Sequence, residues 1–135
     1  MCLLLAATHQ SIDKRLCGEP IEIGEGSAVV VLVTLPEMAA DERGLVHGGF
    51  VFGLADYAAM LAVNHANVVL GSAEVRFLKP VSVGERLVAE AGVEENDGRR
   101  ARVRVEVRRG EETVMAGAFL CFTLESHVLD VGGKR

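Results

Sequence analysis

Apolar residues crowd every side of the stretch FVFGLADYAAMLAV, residues 50–63, with a single carboxylate, Asp56, set inside it. The positions three and four residues away from Asp56 are Phe52, Gly53, Ala59 and Met60, and none is polar. A surface helix carries a polar stripe opposite its apolar face. No such stripe exists here, so the pattern predicts a helix buried nearly all round. It starts near the Gly48-Gly49 pair and ends around Asn64, where NHAN supplies stop signals. It is the only long helix in the chain.

Elsewhere the period is two. In RARVRVEVR, Ala101, Val103, Val105 and Val107 face one way and Arg102, Arg104, Glu106 and Arg108 the other, giving one core face and one wet face. Residues 68–80, 86–95, 100–109 and 113–124 read as four strands separated by the turn signals PVSVGE, NDG and GEE. Short turns predict that sequence neighbours pair antiparallel. Upstream, residues 21–35 read as two strands or one bent strand, punctuated by Gly24 and Gly26. Residues 8–16 suit a short surface helix capped by Thr8 or Ser11, and PEMAADERG is a polar loop delivering the chain to His47. One apolar helix and an antiparallel sheet can be buried together only if the sheet curls around the helix, an α+β architecture. A single small sheet leaves one flank of that helix open, and dimerisation covers it.

Composition narrows the class. At 135 residues and 50% hydrophobic, residues 1–135 fit one globular domain, with an N-terminal segment and short helix over 1–18 and a disordered tail over 131–135. A net charge of -5 argues against a general nucleic-acid binder. Cys2, Cys17 and Cys121 are odd in number and show neither disulfide nor zinc spacing, which suits a reducing cytosol. The opening MCLLLAAT has no basic flank and too brief an apolar run for a secretion signal, so it reads as a frayed or packed terminus. The apolar run around Asp56 is shorter than the roughly 20 residues needed to cross a bilayer.

A carboxylate taken out of water loses several kcal/mol of hydration unless it is paired, hydrogen-bonded or protonated. Asp56 is therefore either a functional acid or one rescued by a distant arginine or a backbone donor. His47, beside the helix start, is open to roles as base, ligand or scaffold. His9, His65 and His127 show no triad or metal spacing with it and read as surface residues.

The pattern GxxHGG followed by LAD, then a helix and FLKPVxxGE, resembles the PaaI-like acyl-CoA thioesterases of the hotdog fold. The likeness covers residues 19–124. It implies a long helix wrapped by a curved antiparallel sheet, with two subunits joined edge to edge and a further pairing into a dimer of dimers. Asp56 matches the family's acidic catalytic residue, and the Gly48 backbone N–H matches the donor that polarises the thioester carbonyl, with Gly49 beside it at the substrate. The two groups of one site come from opposite subunits in that family. Physical reasoning agrees with both assignments. Free N–H groups at a helix N-terminus suit a developing oxyanion, and a carboxylate in a semi-dry pocket has the raised pKa that suits a base for water. Asp56 as a direct nucleophile stays open.

His47 is favoured as scaffold or substrate-orienting group rather than as proton carrier. Asp41 stands six positions before His47, where the family usually has Asn or Gln; the pair of acids could share a proton, or Asp41 points elsewhere. Ser72 is the nearest match to a polar residue that relatives place after the helix. Arg76, Lys79, Arg99 and Arg100 are candidates for the phosphates of coenzyme A, against the plainer reading of a solvated strand face. Phe50, Phe52, Tyr57 and Met60 are candidates for an acyl tunnel, or simply core.

The resulting expectation is a cytoplasmic homodimeric or homotetrameric thioesterase. It hydrolyses an acyl-CoA to a carboxylic acid and coenzyme A, with no metal or redox cofactor and with no nucleic acid or membrane partner. The alternative is a noncatalytic acyl-CoA-binding or sensing protein on the same fold. A hydratase ranks lower, because its characteristic His and acid arrangements are missing.

Overall fold

The computed structural model describes residues 3–132. In chain order it contains α1 (Lys14–Cys17), β1 (Glu19–Gly24), β2 (Ser27–Val33), a 3-10 turn at Pro36–Met38 and the long helix α2 (Gly48–Val63). There follow β3 (Val68–Phe77), β4 (Arg86–Asn96), β5 (Arg100–Arg109), β6 (Glu112–Thr123) and α3 (Val128–Gly132). The strands form one antiparallel sheet of order β1-β2-β4-β5-β6-β3. This curved sheet wrapped on one helix is the hotdog fold.

α2 is buried as its composition requires, with Val51, Leu54, Ala55, Tyr57 to Ala62 all closed off from solvent. Its alanines let the backbone sit close on β2, β4 and β5, which carry most of the packing, whereas β3 and β6 contribute less. Alternation in β5 holds: Ala101, Val103, Val105 and Val107 face the helix, and the arginines between them face away.

One pairing departs from expectation. β3 and β4 are sequence neighbours but do not pair; β3 lies beyond β6 as the sheet edge, with Ala73 opposite Phe119 and Phe77 opposite Met115. The connection between them is held elsewhere. Val46 N–H donates to Val81 O at 2.8 Å and Val83 N–H to Gly44 O at 2.8 Å, so the chain crosses the N-terminal end of α2 before entering the sheet centre. That crossing leaves one side of β3 without a strand partner among the described residues.

Residues 21–35 resolve into two strands, and α1 is shorter than predicted. Its cap is Asp13, whose side chain accepts the Arg15 N–H, rather than Thr8 or Ser11. The N-terminal segment packs along β1, with Leu4 N–H bonded to Ile23 O. Asn64, the left-handed C-cap of α2, clips it: Oδ1 accepts the Ala7 N–H at 2.7 Å and Nδ2 donates to Leu5 O at 3.0 Å. His9 is not a surface residue. It is half-buried 6.2 Å from the Tyr57 ring, and burial lowers its pKa. α3 covers the first two positions of the expected disordered tail; the rest of that tail, and Cys2, lie outside the described residues. No described helix is long and apolar enough to cross a membrane.

Candidate active site

The site is built around the first three turns of α2. His47 is the N-cap, with extended backbone (φ -62, ψ 129), and its Nδ1 accepts the Gly49 N–H at 2.7 Å. Accepting at Nδ1 places the ring proton on Nε2. The ring also meets Phe50 edge-on at 6.2 Å. A side chain on Gly49 would stand 2.8 Å from Nδ1, so glycine there is what lets the imidazole fold over the helix end. His47 thus caps α2 through its side chain.

With Gly49 engaged, the Gly48 N–H has no hydrogen-bond partner among the described residues. It is an unused donor at the positive end of the helix dipole. The Phe77 ring flanks it, 3.4 Å from where a Gly48 Cβ would lie.

Asp56 sits two turns further on. It is largely buried, and its Oδ1 is closed off with no hydrogen-bond partner. Burial pushes its carboxyl up to about 6. Among the described residues no arginine or backbone donor meets that oxygen. The charge reaches two thiols: Cys121 is pushed up to about 12, first by burial and then by Asp56, and Cys17 is raised by burial, then by Asp13 and Asp56. One turn before Asp56, Phe52 stacks on Phe119 with centroids 5.4 Å apart.

Eight residues of helix separate Gly48 from Asp56, a rise of about 12 Å. An oxyanion donor and a base acting through one water must each lie within about 3 Å of their target atoms. That spacing is long for one carbonyl and one water to bridge.

Other predicted positions fall elsewhere. Asp41 is exposed, and its Oδ1 accepts the N–H groups of Arg43 at 3.0 Å and Leu45 at 3.1 Å, a local turn that fixes the approach to His47. It adds nothing to the raised pKa of Asp56, whose cause is burial alone. Met60 is core, 1% exposed, and so is Tyr57. Ser72, after the Gly71 bulge, pairs with Leu120, which in turn pairs with Arg102, and so lies on the outer face of the sheet away from α2. Arg76 shares that face through Ala116 and Glu106.

The cations do not converge. Lys79 lies 3.8 Å from Glu112, and Arg100 lies 3.8 Å from Asp97 at the β4–β5 turn, where Arg99 also binds Asp97 through its backbone. Lys79 N–H bonds Val114 O, whereas Arg99 O receives the Thr123 N–H. Nine strand residues, about 30 Å, separate these anchor points. Sequence reasoning missed Phe77 and Phe119 as neighbours of the site. The inward register of FLCF and EVRF carries that signal once the pairing of β3 with β6 is known.

A thioesterase superfamily model matches residues 43–116. The structure of an uncharacterized protein from Pyrococcus horikoshii is 57% identical with a TM-score of 0.95, covering 96% of this chain and 100% of that one. A variant of the phenylacetic acid degradation protein PaaI from Thermus thermophilus is 31% identical with a TM-score of 0.75, covering 81% and 95%. Among curated relatives, methylthioribose-1-phosphate isomerase of Aquifex aeolicus is 52% identical over 83% of this chain. Transcription factor FapR of Shouchella clausii is 31% identical over 81%. The chain spans only 25% of the isomerase's length and 58% of the factor's. With its HGG-capped helix, buried acid and six-stranded curved sheet, the chain belongs to the thioesterase superfamily and is PaaI-like within it.

Proposed function

We propose that this chain is an acyl-CoA thioesterase acting as a homodimer, with each site built from Asp56 of one protomer and the Gly48 N–H of its partner. The observation that carries the reading is the buried, unpartnered Asp56 oxygen on the same helix as a free N-terminal donor. The unpaired edge of β3 and the exposed Phe77, Leu78 and Leu45 beside it supply a surface for the second copy.

Ionised Asp56 takes a proton from water as that water attacks the thioester carbon. The carbonyl oxygen gains negative charge against the Gly48 N–H. The intermediate then expels the sulfur, the C–S bond breaks, and the proton passes to the thiolate, giving a carboxylic acid and coenzyme A. Lys79, two residues beyond Phe77, lies at the Gly48 end of the site and is the cation proposed to meet a phosphate of the substrate. Nothing in this scheme calls for a metal. The free thiols Cys17 and Cys121 suit a cytoplasmic setting. Thiol release across an acyl-CoA panel tests the reading; no release from any member overturns it.

The match to FapR favours a second reading, a noncatalytic acyl-CoA sensor. Calorimetric binding of acyl-CoA without thiol release identifies that case.

A further inference from the structure

Gly53 lies inside α2, three residues before Asp56 and four after Gly49, on the flank of the helix that the sheet leaves open. Glycine in a helix interior is costly relative to alanine, because its backbone loses more freedom on folding. Most other described glycines have local reasons, Gly92 in the β4 strand being an exception. Gly18 has φ +111 and nearly touches Val30 and Leu54; Gly117 meets the β3 backbone; Gly49 meets His47. Gly53 has none of these. Its φ is not in the left-handed region, and a Cβ built there meets nothing within 4 Å.

The surroundings of Gly53 are chemical as well as open. Phe52, stacked on Phe119, forms a wall on one side, and the unpartnered Oδ1 of Asp56 lies one turn along. Neither helix propensity nor packing within the protomer calls for glycine at this point. We infer that Gly53 is a specificity-determining residue: its bare backbone is the floor over which the acyl group of the thioester passes to bring its carbonyl to Asp56, with Phe52 as the apolar wall. A side chain there would occupy the substrate's path without disturbing the helix. This inference rests on the proposed thioesterase reading and names where its substrate lies.

The experiment compares wild type with Gly53→Ala and Gly53→Leu. Measurements are thermal melting, light-scattering mass, thiol release from short-chain, long-chain and phenylacetyl-CoA, and calorimetric binding of a nonhydrolysable acyl-CoA analogue. Gly53→Ala is expected to melt a few degrees higher than wild type. Its kcat/KM is expected to be lower by roughly tenfold, the scale of one misplaced methyl in a pocket. Gly53→Leu is expected to lose at least a further tenfold, with the loss in KM and the oligomer unchanged. A purely structural glycine would not give a more stable and less active alanine variant.

Wild-type kcat/KM in Gly53→Leu overturns the inference, and so does dissociation of the oligomer in either variant, which would assign the space to the partner chain. Analogue binding by wild type without any thiol release sinks the hydrolase reading alone. The Gly53 assignment then stands or falls on whether Gly53→Leu weakens that binding. Wild type that neither binds nor hydrolyses overturns both.

Discussion

His47 Nδ1 accepts the Gly49 N–H at 2.7 Å, and that bond leaves Gly48 as the free donor at the head of α2. The imidazole is a helix cap, so its loss should be felt first in stability. His47→Ala is expected to destabilise the protein by about 1 kcal/mol, while His47→Asn, a residue that caps well, recovers most of it. Denaturant unfolding checks both. A wild-type-like alanine variant whose turnover is abolished would instead make His47 the proton carrier.

Asp56→Asn separates chemistry from folding. Removing a general base costs roughly 10²–10⁴-fold in kcat, and the variant should remain folded with wild-type mass. Wild-type activity is expected to rise with pH through a midpoint near 6, where Asp56 becomes ionised. Turnover in the Asn variant at wild-type rates would remove Asp56 from the mechanism.

The same carboxyl sets a stability trend of definite sign. Its folded pKa, about 6, lies above the ordinary 3.8, and burial is the cause. The folded state therefore holds its proton longer than the unfolded state does. Below pH 3.8 both states are protonated and no penalty exists; between about 4 and 6 the penalty grows; above 6 it is complete. Asp56 thus subtracts stability at neutral pH, on the order of 2–3 kcal/mol. The unfolding free energy of Asp56→Asn minus that of wild type should climb across pH 4–6 and flatten above 7. A difference that is constant with pH would show that Asp56 is not desolvated.

Asp41 is expected to act on the loop and not on Asp56. Asp41→Asn keeps the oxygen that accepts the Arg43 and Leu45 N–H groups, and should hold stability within about 0.5 kcal/mol. Asp41→Ala loses both bonds and costs about 1 kcal/mol. In neither case should the activity midpoint near pH 6 move, since no charge from Asp41 raises Asp56. A fall of that midpoint in Asp41→Asn would establish a shared proton.

Legibility followed the strength of the local pattern. The bounds of α2 could be read because Gly48-Gly49 and Asn64 punctuate an unbroken apolar run, and β5 because Val and Arg alternate without a slip. β3 could be read as a strand but not placed. Its partner is fixed by where the 78–85 connection is tied, through Val46–Val81 and Gly44–Val83 bonds that no local signal announces. The acid at Asp56 stood out by its isolation. The facing of Ser72 and Arg76 did not, because the Gly71 bulge shifts the register by one residue and turns both outward. Asp13 displaced Thr8 and Ser11 as cap for a similar reason: in a run of capping residues, the winner is set by where α1 packs on α2.

The oxyanion role of Gly48 can be tested at the level of a single hydrogen. Proline is tolerated at the first position of a helix, because the N–H it lacks is unused by the helix there. His47 already has the extended backbone that a residue before proline needs, at φ -62 and ψ 129. Gly48→Pro should therefore fold while replacing the donor with a ring methylene. Gly48→Ala keeps the donor and adds a Cβ that meets the Phe77 ring at 3.4 Å, an ordinary contact. The alanine variant is expected to keep kcat within about threefold, and the proline variant to lose about 10²–10³-fold, the worth of one oxyanion donor. Both should melt at or above the wild-type temperature and keep wild-type mass, so that the difference between them reports the N–H and the ring methylene that replaces it. Equal activity in the two variants would take the Gly48 amide out of the reaction and leave α2 contributing only its carboxylate.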